Sequence, residues 1–190
     1  AGTMRMGWII MNRCSRHMLV LCLGTALAGQ ASPAAAQPAS PPSPQQTTAS
    51  FDDWIVRCET RAGPPVQKTC EMVQFTQTKG QQGVLSEIAI GRPIKNQPFK
   101  LAVQLPIGIW LPTGVKITAG TKNPALLAAF KRCVPQSCFA DTEINDDMIK
   151  RLRANTEDGK LEFKDGAQKD ASLPISFKGF GAAYDALLKE

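Results

Sequence analysis

The chain has 190 residues, 43% of them hydrophobic and 20% charged, a balance that excludes a disordered polyelectrolyte and fits one domain of about 100–150 residues with appendages. The formal net charge of +6 raises nucleic acid as a partner. However, Arg5, Arg13 and Arg16 sit in an acid-free N-terminal segment, and beyond residue 50 the remaining 19 basic residues face 16 acidic ones without a dense cluster, which argues against nucleic-acid binding.

In chain order, residues 11–17 supply a positive stretch (Arg13, Arg16, His17), and residues 18–29 form an uncharged, mostly apolar run of 12. Small residues follow, with cleavage choices after Ala28 and Ala36. This is the tripartite pattern of a secretory signal peptide, so residues 1–36 are expected to be a leader cut near residue 28 or 36. A spanning helix needs about 20 apolar residues, and Arg13, Arg16 and His17 interrupt any longer run, so no transmembrane segment is expected after cleavage. Cys22 follows the bulky Leu21, which argues against a lipoprotein site. Residues 37–50, rich in Pro, Ser and Gln, cannot bury apolar surface and read as a solvated linker. The folded domain is expected over residues 51–190.

Cys14 and Cys22 belong to the leader; Cys58, Cys70, Cys133 and Cys138 remain. Four cysteines in an exported domain point to two disulfides, with three connectivities open. The pairs Cys58–Cys70 and Cys133–Cys138 are favoured because each flanks turn chemistry, Gly63-Pro64-Pro65 in one and Pro135 in the other. Each bridge is expected to contribute roughly 2–3 kcal/mol. A zinc site fits poorly, since structural zinc usually takes cysteines two to four residues apart in paired knuckles, and no Cys-x-x-Cys redox motif is present.

Strand chemistry recurs in short segments bounded by Gly, Pro and Asn. Residues 54–59 alternate, placing Trp54, Val56 and Cys58 on one face. Residues 69–76 set Cys70, Met72 and Gln74 against Glu71, Val73 and Phe75. Residues 84–91 form a third candidate. Residues 99–106 are the cleanest alternation, with Phe99, Leu101, Val103 and Leu105 inward. Further strands are expected at 115–119, 138–144, 160–164 and 173–178. Residues 126–133 fit either a helix by propensity or a strand. A helix capped by Asn145 or Asp146 runs through Met148, Ile149 and Leu152, with Asp146/Lys150 and Asp147/Arg151 at helical spacing. A C-terminal helix over 179–188 carries Phe180, Tyr184, Leu187 and Leu188 on one stripe. The fold class is mainly β: an antiparallel β-sandwich with one or two short helices, including the C-terminal one.

The ordered set Phe51-Asp-Asp-Trp-Ile-Val-Arg-Cys58, Cys70, Leu105-Pro-Ile-Gly-Ile-Trp-Leu-Pro-Thr-Gly-Val115, Cys133-Val-Pro-Gln-Ser-Cys138 and the closing run from Ile175 to Leu187 resembles the invasion-associated locus B family of alphaproteobacterial exported proteins. Phe177 departs from the family pattern, which has Leu in that apolar slot. The resemblance implies a β-sandwich-like fold, a periplasmic, outer-membrane-associated or secreted location, and a role tied in some members to invasion of host cells. It supplies no catalytic residues.

The residues themselves also point away from an enzyme. His17 is the single histidine and leaves with the leader, which excludes imidazole base chemistry and His-based zinc sites in the mature domain. Asp52-Asp53 and Asp146-Asp147 are the carboxylate pairs a glycosidase-type hydrolase would need, but a strand start and a helix cap account for them. Lys150, Arg151 and Arg153 read as a solvated helix face. Residues 105–114 are the most unusual stretch: Pro106 and Pro112 frame Ile109, Trp110 and Leu111. Trp110 with its neighbours either anchors a partner or plugs one end of the core. No cofactor and no metal is expected. The partner is expected to be an unidentified protein or envelope component, with a structural or stress-related envelope role as the alternative.

Overall fold

The computed structural model describes residues 43–77, 84–94, 96–120 and 124–190. The leader expected at 1–36, and residues 37–42 of the expected linker, lie outside the described residues. The elements in chain order are β1 (Gln45–Phe51), β2 (Trp54–Arg61), β3 (Gln67–Thr76), β4 (Ser86–Gly91), β5 (Phe99–Pro106), a 3₁₀ turn (Leu111–Thr113), β6 (Val115–Thr118), β7 (Leu126–Val134), β8 (Ser137–Ile144), α1 (Asp146–Ala154), β9 (Gly159–Lys164), β10 (Asp170–Ile175) and α2 (Phe180–Leu187).

The strands form one antiparallel sheet in the order β1-β2-β3-β4-β5-β8-β7-β6-β9-β10. β7 joins its two stretches: Leu126–Ala128 pair with β6, and the strand from Ala129 onward pairs with β8. A register shift between Phe130 and Arg132 marks a bulge, which bends a strand and deepens its twist. The sheet thereby curls so that Met72, Val103 and Leu105 of one stretch share a core with Ile117 and Leu161 of the other. The expected antiparallel β architecture with a C-terminal helix is therefore present, its layers being two stretches of a single curled sheet.

Alternation sets the faces. In β5, Leu101, Val103 and Leu105 are buried while Ala102 and Gln104 are partly exposed. In β2, Trp54, Val56 and Cys58 point inward. The stretch 126–133 is a strand throughout: Leu and Ala favour helix weakly, but ladders on both sides of β7 outweigh a propensity of a few tenths of a kcal/mol per residue. The chain also joins the sheet earlier than residue 51. β1 pairs with β2 along its whole length, from Gln45 opposite Thr60 to Phe51 opposite Trp54. Its side chains are exposed apart from half-buried Phe51, so backbone hydrogen bonding forms this strand and hydropathy carries no trace of it.

Asn145 caps α1, its side chain accepting from the Met148 N–H at 2.9 Å, and Asp146 and Asp147 favour the positive end of the helix dipole. The expected Asp146/Lys150 spacing is not the pair that forms; Lys150 meets Asp147 at 3.6 Å. Arg153 reaches α2 instead and forks onto Asp185 at 2.6 and 2.9 Å.

α2 closes the core with Phe180, Ala183, Tyr184 and Leu187. Its approach requires Gly179, which sits at φ 78° with the Phe51 carbonyl oxygen occupying the space that a Cβ would need. Just before it, the chain leaves β10 after Ile175, and Ser176 is held by side chains rather than a ladder. The Ser176 N–H donates to Gln74 Oε1 at 2.9 Å, and its carbonyl accepts from Gln74 Nε2 at 2.8 Å and from the Trp54 indole at 3.0 Å. The buried Gln74 amide thus does for Ser176 what a neighbouring strand would do.

Candidate functional site

The four cysteines of the domain form two disulfides, Cys58–Cys70 and Cys133–Cys138. Each joins residues directly opposite in neighbouring antiparallel strands, β2 with β3 and β7 with β8. Their sulfurs are therefore not thiolates. Glu190 approaches Cys58 and Cys70 closely enough for a three-ligand cluster by distance alone, but sulfurs bonded to each other do not serve as a metal's thiolate ligands.

The carboxylate pairs are occupied structurally. Asp53 accepts from the Ser176 hydroxyl at 2.6 Å, Asp52 turns the β1–β2 hairpin at φ 49°, and Asp146 and Asp147 lie in the first turn of α1. On the outer face of the sheet, Arg57 bridges Glu71 and Glu87 across three strands and lies 5.8 Å from the Phe75 ring centre. Burial alone pulls the Arg57 guanidinium down, but Glu71 and Glu87 outweigh it and hold it above its ordinary value. Burial, aided by Asp146, raises the Tyr184 phenol above its usual range.

The stretch between β5 and β6 divides its three apolar residues. Ile109 is half-buried against the core and forms a single bridge to Asp165. Trp110 is 37% exposed and Leu111 42%. The loop is nevertheless anchored. Trp110 N–H donates to Lys164 O at 2.9 Å, Gly166 N–H donates to Gly108 O at 2.7 Å, and Gly114 N–H closes the 3₁₀ turn onto Leu111 O at 3.1 Å. Gly114, at φ 65°, lets the turn lie on β7, since a Cβ there would meet the Ala128 carbonyl oxygen at 2.6 Å. The result is an open groove in which Leu111 and Pro112 face Leu127, Ala129 and Phe130. Ile109 thus fills the end of the core, while Trp110 and Leu111 lie at the surface.

Leu127, 68% exposed, belongs to this groove although no motif in the sequence marks it. Its one signal is the Leu126-Leu127 pair: once residues 126–134 are a strand, one of two adjacent leucines must face out. The Arg57 ion cluster is equally hidden in the sequence, because its members meet only through the registers of β2, β3 and β4.

A curled antiparallel sheet closed by a C-terminal helix and braced by two cross-strand disulfides defines the class of fold. The chain belongs to the invasion associated locus B (IalB) protein family, whose model matches residues 54–188. It is 27% identical over 164 residues to an invasion protein B homolog of Brucella abortus (strain 2308), covering 86% of this chain and 90% of the relative. A homolog from Brucella abortus biovar 1 (strain 9-941) matches to the same extent. The fold is similar to the crystal structure of invasion associated protein B from Bartonella henselae, with a TM-score of 0.64 at 18% identity over 75% of this chain and 95% of that one. The relatives are named as invasion proteins, not enzymes. Among the described residues, no helix is long and apolar enough to cross a membrane.

Proposed function

We propose that this protein is an exported, non-catalytic binding protein of the bacterial envelope that docks a protein or envelope component on the groove between the 3₁₀ turn and β7. The observation that carries this reading is the combination of exposed Leu111 and Leu127 lining the groove, part-exposed Trp110 just before the 3₁₀ turn, and a loop tied to its neighbours by backbone bonds. Large apolar side chains held rigidly at a surface lose little conformational freedom when a partner covers them, which is how interface anchors work. Export is supported by the tripartite leader pattern and by cysteines joined in bridges, the form favoured in an oxidising compartment. The relatives' names associate the family with invasion, and a contact with a host-cell component is one form the partner takes under this reading.

Crosslinking in intact cells, comparing wild type with Trp110→Ala and Leu127→Ser, tests the groove. Capture of a defined partner should fall in both variants, and undiminished capture overturns the reading. N-terminal sequencing of the mature chain should find it starting after residue 28 or 36. A structural envelope role, the second reading, predicts recovery only in envelope pellets after a salt wash. A carboxylate hydrolase, the third, predicts activity on envelope glycans that disappears when the exposed acid pairs become alanine.

A further inference from the structure

The sheet ends in two edges of different character. β10 carries Pro174, which has no N–H to offer, and Asp170, paired to Lys164 at 2.7 Å; both discourage a further strand. β1 has no such guard. Its sequence Gln45-Gln-Thr-Thr-Ala-Ser-Phe51 contains no charge and no proline, it pairs in unbroken register with β2, and it is the terminal strand. Which of its backbone groups face outward follows from two independent features. The Cα atoms of Cys58 and Cys70 lie 4.1 Å apart, the narrow spacing of a pair that exchanges no backbone hydrogen bonds, so the Cys58 N–H and C=O point the other way, toward Thr47. The two-residue turn at Asp52 and Asp53 closes on Phe51 and Trp54, a pair that exchanges backbone bonds and has the same parity as Thr47. Thr47, Ala49 and Phe51 therefore bond to β2, while the N–H and C=O groups of Gln46, Thr48 and Ser50 turn to the other side, where no strand among the described residues pairs with them.

We propose that β1 pairs with β1 of a second copy of this chain, antiparallel about a two-fold axis at Thr48. In that register Thr48 faces Thr48 of the second copy, and Gln46 faces Ser50 on either side, so all three outward residues exchange backbone bonds. The strand suits itself as a partner because an uncharged sequence meets its own copy without like-charge contacts, and facing threonines are a favourable cross-strand pair. The nearest charge in that row, Arg57 opposite Thr48 on β2, is already engaged by Glu71 and Glu87 of its own chain and sits one strand back from the edge. The contact is confined to one strand and its side-chain rows, well short of the roughly 1,600 Å² of a standard stable interface, which makes the dimer weak and concentration-dependent. This inference is separate from the groove between the 3₁₀ turn and β7 and does not rest on it.

Sedimentation of the purified mature chain, its leader removed, over a concentration series tests it. Wild type should move from one chain toward two as concentration rises. Thr48→Lys and Thr48→Glu, which set like charges across the axis, should each stay single, and an equimolar mixture of T48K and T48E should recover pairing. Thr48→Pro removes only an outward N–H, leaves the β1–β2 ladder intact and should also stay single, which keeps the test alive if a charged variant folds poorly. Trp110→Ala should pair as wild type does. A wild-type chain that stays single throughout overturns the proposal. So does pairing that survives T48K and T48P, or a T48K/T48E mixture that remains single.

Discussion

Trp54 and Trp110 lie on the same curled sheet and are treated oppositely. Trp54 is 1% exposed, packs edge-on against Phe180 with ring centres 5.1 Å apart, and gives its indole proton to Ser176. Its acceptor is fully engaged in turn, since Gln74 completes the hydrogen bonds of the Ser176 backbone. Trp110 is held just as firmly, but through its backbone, and its ring stays at the surface beside Leu111. An indole anchored firmly yet left partly in water contributes less to stability than one packed away, and a docking surface needs such a ring. The contrast teaches that rigidity and burial are separable.

The contrast can be broken most severely at Trp54. Trp54→Ala should destabilise the domain by about 3–5 kcal/mol in chemical denaturation, through lost burial and a cavity against Phe180. Removing the Cys58–Cys70 bridge by paired alanines should cost about 3 kcal/mol, and removing the tighter Cys133–Cys138 loop about 2 kcal/mol, with reductant abolishing each difference. Gln74→Leu should cost about 1–3 kcal/mol, because the part-buried Ser176 N–H loses its acceptor. Trp110→Ala, which loses a ring only 37% exposed, should cost about 1–2 kcal/mol, clearly less than Trp54→Ala, while weakening partner capture. A large stability loss there would move Trp110 into the same category as Trp54.

Much of the region around Trp54 is legible in the amino-acid sequence alone. The alternation of Trp54 and Val56, of Met72 and Gln74, and of Leu101, Val103 and Leu105 is a local, period-two signal that burial preserves. Sequence marks residues 105–114 as unusual through Pro106 and Pro112. It leaves open which of Ile109, Trp110 and Leu111 faces outward, because a loop has no fixed period to count. β1 is illegible for a different reason: Gln, Thr and Ser look the same in a tether and in an edge strand, and only the ladder to β2 separates them. The ambiguity over residues 126–133 comes from Leu and Ala, whose mild helical preference yields to two neighbouring ladders.

The hydrogen bond from the Trp54 indole spans 122 positions of the chain, and the ring packed edge-on against that indole comes from Phe180. A ribosome delivers these partners last. Until α2 emerges, the nascent polypeptide carries Trp54, Val56 and Met72 as an uncovered adhesive surface, the kind that holdase chaperones grip. A chain cut before Ser176 loses both the acceptor of the Trp54 indole and the ring that packs against it, and should fail to fold.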